Sequence, residues 1–362
     1  MSPSAAVVLA LTAVTALQAP APPQFPGGTR LIRLDVSVVD HKGRPVTGLG
    51  PDDFVVREEG RGVEVAYFQA IEDARAAGGG APDPDPAAGP PNRILLMVDA
   101  LAMTPGQLQR ARTAVGAYVR QAPDGEWLRL ANLATGEIWD AHLPEGRVRM
   151  LSAARALQSR ASPWSGRLLQ DDPSITEQVD TPAAPGRPSE TETSGTFLSV
   201  FAQGVGLLGT LEALLTELQG VPGRKALVLV SPGFPQMRGL DRRLQHVSTL
   251  AREAATAVYY VDVTAMDGLL PEQAGQGLLP AFESAWLRSG GAQDLAEATG
   301  GFTARFDNSL LPALTRVSAE MRSYYVVGYV PAAADGRFHR VDVKVKMRGV
   351  SARTKKGYVA AR

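Results

Sequence analysis

Apolar and polar residues alternate with a period of two near both ends of the chain, in residues 32–38 and residues 341–347. This period predicts strands that bury one face and expose the other. Neither end supplies enough strands to form a stable sheet alone. We therefore expect the amino-terminal β segment, residues 23–71, to pair with the carboxyl-terminal β segment, residues 324–362, in one small β subdomain.

The middle of the chain, residues 93–323, alternates instead between continuous apolar runs and helical patterns. Residues 94–98 and 226–230 are apolar at every position, which is typical of strands buried on both faces. Repeated strand and helix units of this kind build an open parallel sheet with helices on both faces. The pattern predicts an α/β domain of Rossmann-like topology, inserted between the two β segments.

Three other segments lack the periodicity of a packed element. Residues 5–17 form an apolar run that is too short to cross a bilayer and is followed by a Pro-rich stretch, which predicts a signal peptide over residues 1–22. Residues 72–92 are rich in Gly, Ala and Pro and predict a linker, and residues 160–197 predict an insertion loop. We expect an extracytoplasmic protein, periplasmic or secreted, with no membrane span in the mature chain.

Charge and composition exclude several functions. The 362 residues contain 37 Lys and Arg and 37 Asp and Glu, and this balance argues against nucleic-acid binding, which needs a concentrated basic face. The sequence contains no Cys, so disulfides, thiolate metal sites and cysteine nucleophiles are excluded. With only 4 His, it offers little for a histidine metal centre.

A series of motifs follows in a fixed order along the mature chain. They are LDVSVVDHKGRPVTGLGPDDFVVREEG, an apolar strand ending in Asp99, SGTFLSV, PGRKALVLVSPGF, VYYVDVTAMDGL, and SYYVVGYVP with DGRFHRVDVKVK after it. In this order they resemble the bacterial VWFA-related family, a branch of the von Willebrand factor type A domains. The resemblance implies a Rossmann-like A domain in an extracytoplasmic protein that binds another protein, either as an interaction or as an adhesion module.

The resemblance also implies where a divalent cation would bind. Type A domains commonly hold it at the carboxyl end of the sheet, through D-x-S-x-S, a loop Thr and a later Asp. Here Leu101 and Met103 replace the two hydroxyl residues, and Pro232 stands about where the later Asp would be. Asp99 and Thr196 are left, and they form a poor ligand set for Mg²⁺ or Mn²⁺. We expect a degenerate site with no tightly bound metal, in which Asp99 caps a helix or accepts backbone hydrogen bonds.

Two alternatives use the same edge of the predicted sheet. A divalent-cation-dependent adhesion domain would bind Mg²⁺ or Mn²⁺ through Asp99, Thr196 and Asp262, with water completing the coordination. A hydrolase would use Ser231, which stands at a strand-to-turn position like that of a nucleophile elbow. However, the first Gly of that motif is missing, and Pro232 has no N–H to donate to an oxyanion.

The leading hypothesis is therefore a non-enzymatic protein-binding module without a cofactor. Its contacts would come from loops at the carboxyl ends of the strands, in residues 99–104, 195–197 and 231–237, together with the insertion. A Trp in a polar loop is also a candidate anchor for a partner. The individual candidates for partner binding are Asp99, Thr196, Ser231 and Trp164.

Overall fold

The computed structural model describes residues 31–72, 93–159, 190–264, 278–305, 309–333 and 335–360. In residues 190–200 and 278–288 it describes the backbone alone. The predicted signal peptide, nearly all of the predicted linker and most of the predicted insertion, including Trp164, lie outside the described residues.

The described chain forms fourteen strands and six helices. The strands are β1 (Ile32–Asp40), β2 (Phe54–Glu58), β3 (Arg61–Val63), β4 (Tyr67–Ile71), β5 (Arg93–Val98), β6 (Trp127–Asn132), β7 (Glu137–His142), β8 (Lys225–Ser231), β9 (Thr256–Asp262), β10 (Thr303–Ala304), β11 (Tyr324–Tyr329), β12 (Phe338–Val345), β13 (Val350–Arg353) and β14 (Gly357–Val359). The helices are α1 (Pro105–Gln121), α2 (Arg147–Ala156), α3 (Glu190–Leu218), α4 (Asp241–Glu253), α5 (Leu278–Thr299) and α6 (Leu311–Arg322). In the described ranges, no helix is long and apolar enough to cross a membrane.

The central layer is a six-stranded sheet with the strand order β10-β9-β8-β5-β6-β7. Strands β10, β9, β8, β5 and β6 are parallel, and β7 runs antiparallel to β6 at one edge. From β5 to β7 the chain adds strands toward one edge, and from β8 to β10 it adds them toward the other. The predicted mixed α/β fold with a parallel sheet is thereby confirmed.

Helices cover both faces of this sheet. Strand β5 is apolar at successive positions, so both of its faces are buried by helices. Ile94 and Leu96 point to one face, where they pack in a core with buried residues of α1, α2 and α6. Leu95 and Met97 point to the other face, where they pack with buried residues of α3, α4 and α5. All four side chains are 1% exposed, as expected for a strand between two helical layers.

Strand β7 is absent from the sequence-based prediction. Its residues EIWDAH have no clear period, and Ile138 is 55% exposed. Its pairing comes from the tertiary structure, since residues 137–142 align with the whole of β6 and Arg129 forms an ion pair with Asp140 at 2.8 Å across the two strands.

Helix α3 begins earlier than predicted. The predicted loop over residues 160–197 is wrong at its end, because residues 190–197 are helical. Thr, Ser and Gly in this segment have low helix propensity, which explains why the sequence predicts a loop there. However, extending an existing helix avoids the cost of a new nucleus, and the segment opens with Glu190 and Glu192, a residue type that favours the first turn.

The two ends of the chain meet in a β sandwich beside the α/β layer. One of its sheets has the order β13-β1-β11-β4 and the other β14-β12-β2-β3. Strand β1 pairs antiparallel with β11, and β2 pairs antiparallel with β12. The inward residues of these strands form a core of their own, which includes Leu34, Val36, Val56, Val327 and Val343.

A buried polar cluster joins the sandwich to the α/β domain. Arg224, just before β8, donates from Nη2 to the Ser37 hydroxyl of β1 at 2.7 Å. Glu320 of α6 is fully buried and accepts a hydrogen bond from Arg316 at 2.9 Å and another from Arg353 of β13. These contacts hold the sandwich against the amino ends of the parallel strands.

Candidate functional site

Three polar residues lie at the carboxyl ends of three neighbouring strands. Asp99 follows β5, Ser231 ends β8 and Asp262 ends β9. Ser231 is aligned with Asp262, and the Asp99 N–H donates to the Val230 carbonyl at 2.9 Å. Because β8 lies between β5 and β9, the two carboxylate residues are about two strand spacings apart, roughly 10 Å. The predicted placement of Asp262 next but one to Asp99 is correct.

The Asp99 carboxylate is enclosed by groups of its own chain. Its Oδ2 accepts a hydrogen bond from the Ser231 hydroxyl at 2.8 Å, and Ser231 Oγ in turn accepts from the Gly233 N–H at 2.8 Å. Asp99 is only 6% exposed. Burial raises its pKa from the usual 3.8 to about 6, although hydrogen bonds from Ser231 and the Ala102 backbone act in the opposite direction. The strand end therefore holds a carboxyl group that is costly to ionise.

We expect Asp99→Asn to change the pH dependence of stability. The native state holds the Asp99 proton more tightly than the unfolded chain, so ionisation of this group costs the native state free energy as pH rises from 4 to above 6. The amide cannot ionise and retains an oxygen for Ser231. Relative to wild type, the variant should gain up to about 3 kcal/mol in unfolding free energy between pH 4 and pH 7.5. Urea denaturation across this range measures the difference.

Asp40→Asn provides a control of opposite sign. A backbone hydrogen bond from Arg44 is the main cause that lowers the pKa of the partly exposed Asp40 to about 2. Its contribution to stability is present above pH 4 and is lost as pH falls toward 2, so the Asn variant should lose stability at neutral pH. If the curves of Asp99→Asn and wild type run parallel from pH 4 to 7.5, Asp99 is not a buried, proton-holding carboxyl.

Asp262 is also buried, at 3% exposed, and its carboxylate accepts a hydrogen bond from the turn that follows β9. Its Oδ1 accepts a hydrogen bond from the Thr264 N–H at 2.8 Å. Arg110 of α1 reaches the same strand end and donates to the Val263 carbonyl at 2.6 Å. Burial raises the pKa of Tyr260, two residues earlier, and the negative charge of Asp262 raises it further. Asp262 thus belongs to a packed strand end.

These residues do not fit a divalent-cation site. Of the loop after β5, Ala102 and Met103 are buried, and the Leu101 side chain is 41% exposed. The backbone of Thr196 lies inside α3, so the prediction that places Thr196 in a loop is wrong. A hard cation needs six or more oxygen ligands, and here a hydroxyl and a backbone N–H already occupy the Asp99 carboxylate. The part of the chain that the structure describes contains no group of three or more His, Asp or Glu that could hold a metal ion.

Ser231 is a structural hydroxyl in this arrangement. It is fully buried, donates to Asp99 and accepts from the Gly233 N–H. Gly233 has φ +89°, and a Cβ there would lie 2.5 Å from the Tyr260 hydroxyl and 2.6 Å from Ser289 Cβ, which explains the glycine. The Pro-Gly turn therefore packs directly over the strand ends.

Two contributors to this edge were not predicted from the sequence. Arg110 and Val263 are 153 positions apart, and Arg305 donates to Ser289 at 2.5 Å from a different loop. An isolated Arg on a helix or in a loop has no local pattern that indicates such a contact. Trp164, the remaining candidate, lies outside the described residues.

Comparison with known proteins provides little further guidance. No protein-family model and no curated protein matches the sequence. Among solved structures, the N-terminal domain of TFIIH p34 matches with 12% identity and a TM-score of 0.24, over 63% of this chain and 96% of that chain.

Proposed function

We propose that this chain is an exported, non-enzymatic interaction module of the von Willebrand A type. It binds another protein through loops at the carboxyl ends of the sheet strands, without a tightly bound metal. The strand order supports this proposal. The direction of strand addition reverses between β5 and β8, and ligands of open α/β sheets bind outside the carboxyl ends of the strands at such a reversal.

One observation carries the proposal: at this reversal the loop after β5 presents an apolar side chain beside an enclosed carboxylate. Leu101 is 41% exposed, whereas Asp99 is buried and hydrogen-bonded to Ser231. An adhesion domain that depends on a cation needs the carboxylate open. In place of a cation, the exposed Leu on the rim offers an apolar contact to a partner.

A photo-crosslinking amino acid at position 101 tests the proposal. With the envelope fraction of the source organism, the probe should form one discrete protein adduct, and EDTA should not reduce its yield. Position 148 is the matched control. Val148 is 77% exposed and lies at the start of α2. The turn before α2 is at the opposite, amino edge of the sheet, because the Leu143 carbonyl in that turn accepts a hydrogen bond from the Gly125 N–H just before β6.

The cross-linking results distinguish the three candidate functions. An adduct from both positions, or from neither, contradicts binding through the loop after β5. An adduct that EDTA abolishes and Mn²⁺ restores supports the cation-dependent alternative with Asp99, Thr196 and Asp262. A hydrolase would instead turn over generic ester or peptide substrates in a manner that Ser231→Ala removes.

A further inference from the structure

A cleft lies between the β sandwich and the α/β domain at the amino ends of the parallel strands. It consists of two adjoining cavities of about 370 and 220 Å³, which share Arg33, Arg252, Glu253 and Lys355 in their walls. The smaller cavity reaches Thr256, the first residue of β9. The cleft and the Asp99 site therefore lie at opposite edges of the sheet.

Three cations from separate parts of the chain line both cavities of this cleft, and a fourth, Arg224, lines the smaller cavity, where it donates to the Ser37 and Tyr259 hydroxyls. Arg33 comes from β1, Arg252 from the last turn of α4, and Lys355 from the segment between β13 and β14. Both cavities are lined by all three residues, so the charges face a common space. Cations brought together around a cavity repel one another unless an anion neutralises them.

The carboxylates of the cleft only partly match these charges. Asp35 forms an ion pair with Arg33 at 3.1 Å, and Glu253 accepts a hydrogen bond from Gln219 at 3.0 Å. In the described ranges, no carboxylate forms an ion pair with Lys355. In those ranges the charge of Asp35 acts on the ammonium group only from beyond ion-pair distance.

The pKa shifts of Lys355 and Arg252 agree with this geometry. Burial lowers the pKa of Lys355; Asp35 acts in the opposite direction, while Arg252 and Arg33 lower it further. Burial likewise lowers the pKa of Arg252, while the negative charge of Glu253 acts in the opposite direction. Arg252 is nevertheless held in place, because it donates to the Thr249 hydroxyl at 2.8 Å and its guanidinium lies 5.1 Å from the centre of the Phe338 ring. Burial and the neighbouring guanidinium groups thus both disfavour the charged form of Lys355.

We propose that this cleft is a binding site for a small molecule that carries an oxyanion, a phosphate or a carboxylate. The anionic group lies between Lys355 and Arg252, with Arg33 as a third cation in the walls of both cavities. The larger cavity adds apolar walls from Ile32, Pro331 and Val359, which fit an apolar portion of the same molecule. Its volume of about 370 Å³ lies within the range of small-ligand pockets, roughly 300–1,000 Å³. This site is independent of the loop after β5.

Calorimetric titration at low ionic strength with inorganic phosphate, and separately with citrate, tests the site. Wild type should bind at least one of the two saturably. Binding by phosphate alone indicates a phosphate ligand, and binding by citrate alone indicates a carboxylate ligand. Lys355→Met and Arg252→Gln should each weaken binding about tenfold or more, since each removes a charge-assisted contact. Lys344→Met is the matched control, because Lys344 is exposed on β12 and lines neither cavity.

Thermal melting distinguishes a binding role of Lys355 from a structural one. Without the anion, Lys355→Met should melt at the same temperature as wild type or higher, since it removes a half-buried charge repelled by its neighbours. With the anion at saturation, wild type should melt higher, because a ligand that binds only the native state stabilises it.

Two results would overturn the proposal. One is the absence of saturable binding of either anion to wild type. The other is a Lys355→Met variant that melts lower than wild type by the same amount with and without the anion, which would make Lys355 a structural residue.

Discussion

Deletion of residues 324–362 should abolish folding of the whole chain. This segment contains β11 to β14, and β11 lies between β1 and β4 in its sheet. Without it, Leu34 and Val36 of β1, both fully buried, lose the packing of Tyr325 and Val327. Each buried side chain of this kind contributes about 1.5–3 kcal/mol, while an entire domain is stable by only about 5–15 kcal/mol. We expect insoluble or aggregating protein without a cooperative thermal transition.

A point substitution in β11 refines this test. Val327 is fully buried in the sandwich core, whereas Val359 in the edge strand β14 is 47% exposed. Val327→Asp should therefore unfold the protein or lower its midpoint severely, and Val359→Asp should change it little. A soluble deletion variant with the wild-type melting temperature would show that the two ends of the chain do not stabilise each other.

Glu320→Ala should be the most destabilising single substitution at the junction between the sandwich and the α/β domain. The Glu320 side chain is fully buried and accepts hydrogen bonds from Arg316 and Arg353, and its backbone carbonyl accepts one from Arg224 at 3.4 Å. Removing the carboxylate leaves guanidinium groups without their counterion in a desolvated site. The expected cost is about 3–5 kcal/mol of unfolding free energy, measured by urea denaturation.

Glu297→Ala is the control for this substitution. Glu297 of α5 also reaches across the junction, to Lys356 at 2.7 Å, but the two side chains are 48% and 53% exposed. Solvent screens such a pair, so its loss should cost no more than about 1 kcal/mol. Equal losses for the two variants would contradict the assignment of Glu320 as the buried centre of the junction.

The proposed partner-binding loops and the proposed anion site lie at opposite edges of the sheet. Loops at the carboxyl ends of the strands contain Leu101 and Asp99, while Arg252 and Lys355 line the cleft at the amino ends. Photo-crosslinking at position 101 and anion titration of the cleft therefore fail or succeed separately. The β sandwich, formed by both ends of the chain, supplies one wall of the cleft through Arg33 and Lys355.

The type and the faces of most elements follow from local sequence. Continuous apolar runs at residues 94–98 and 226–230 require strands buried on both faces, and those runs are β5 and β8. The replacement of hydroxyl residues by Leu101 and Met103 is likewise visible without a structure, and it already argues against a metal site. These features depend on residue type and on spacing along a few turns or strand positions.

Only the tertiary structure decided which distant residues meet. No period in the sequence predicts that β7 would pair with β6, that α3 would extend back to Glu190, or that Arg224 would reach Ser37. The convergence of Arg33, Arg252 and Lys355 on one cleft is of the same kind, because strand pairing and helix packing bring together residues separated by up to 322 positions. Periodicity encodes how an element buries its own face, whereas contacts between elements depend on the packing of the whole chain.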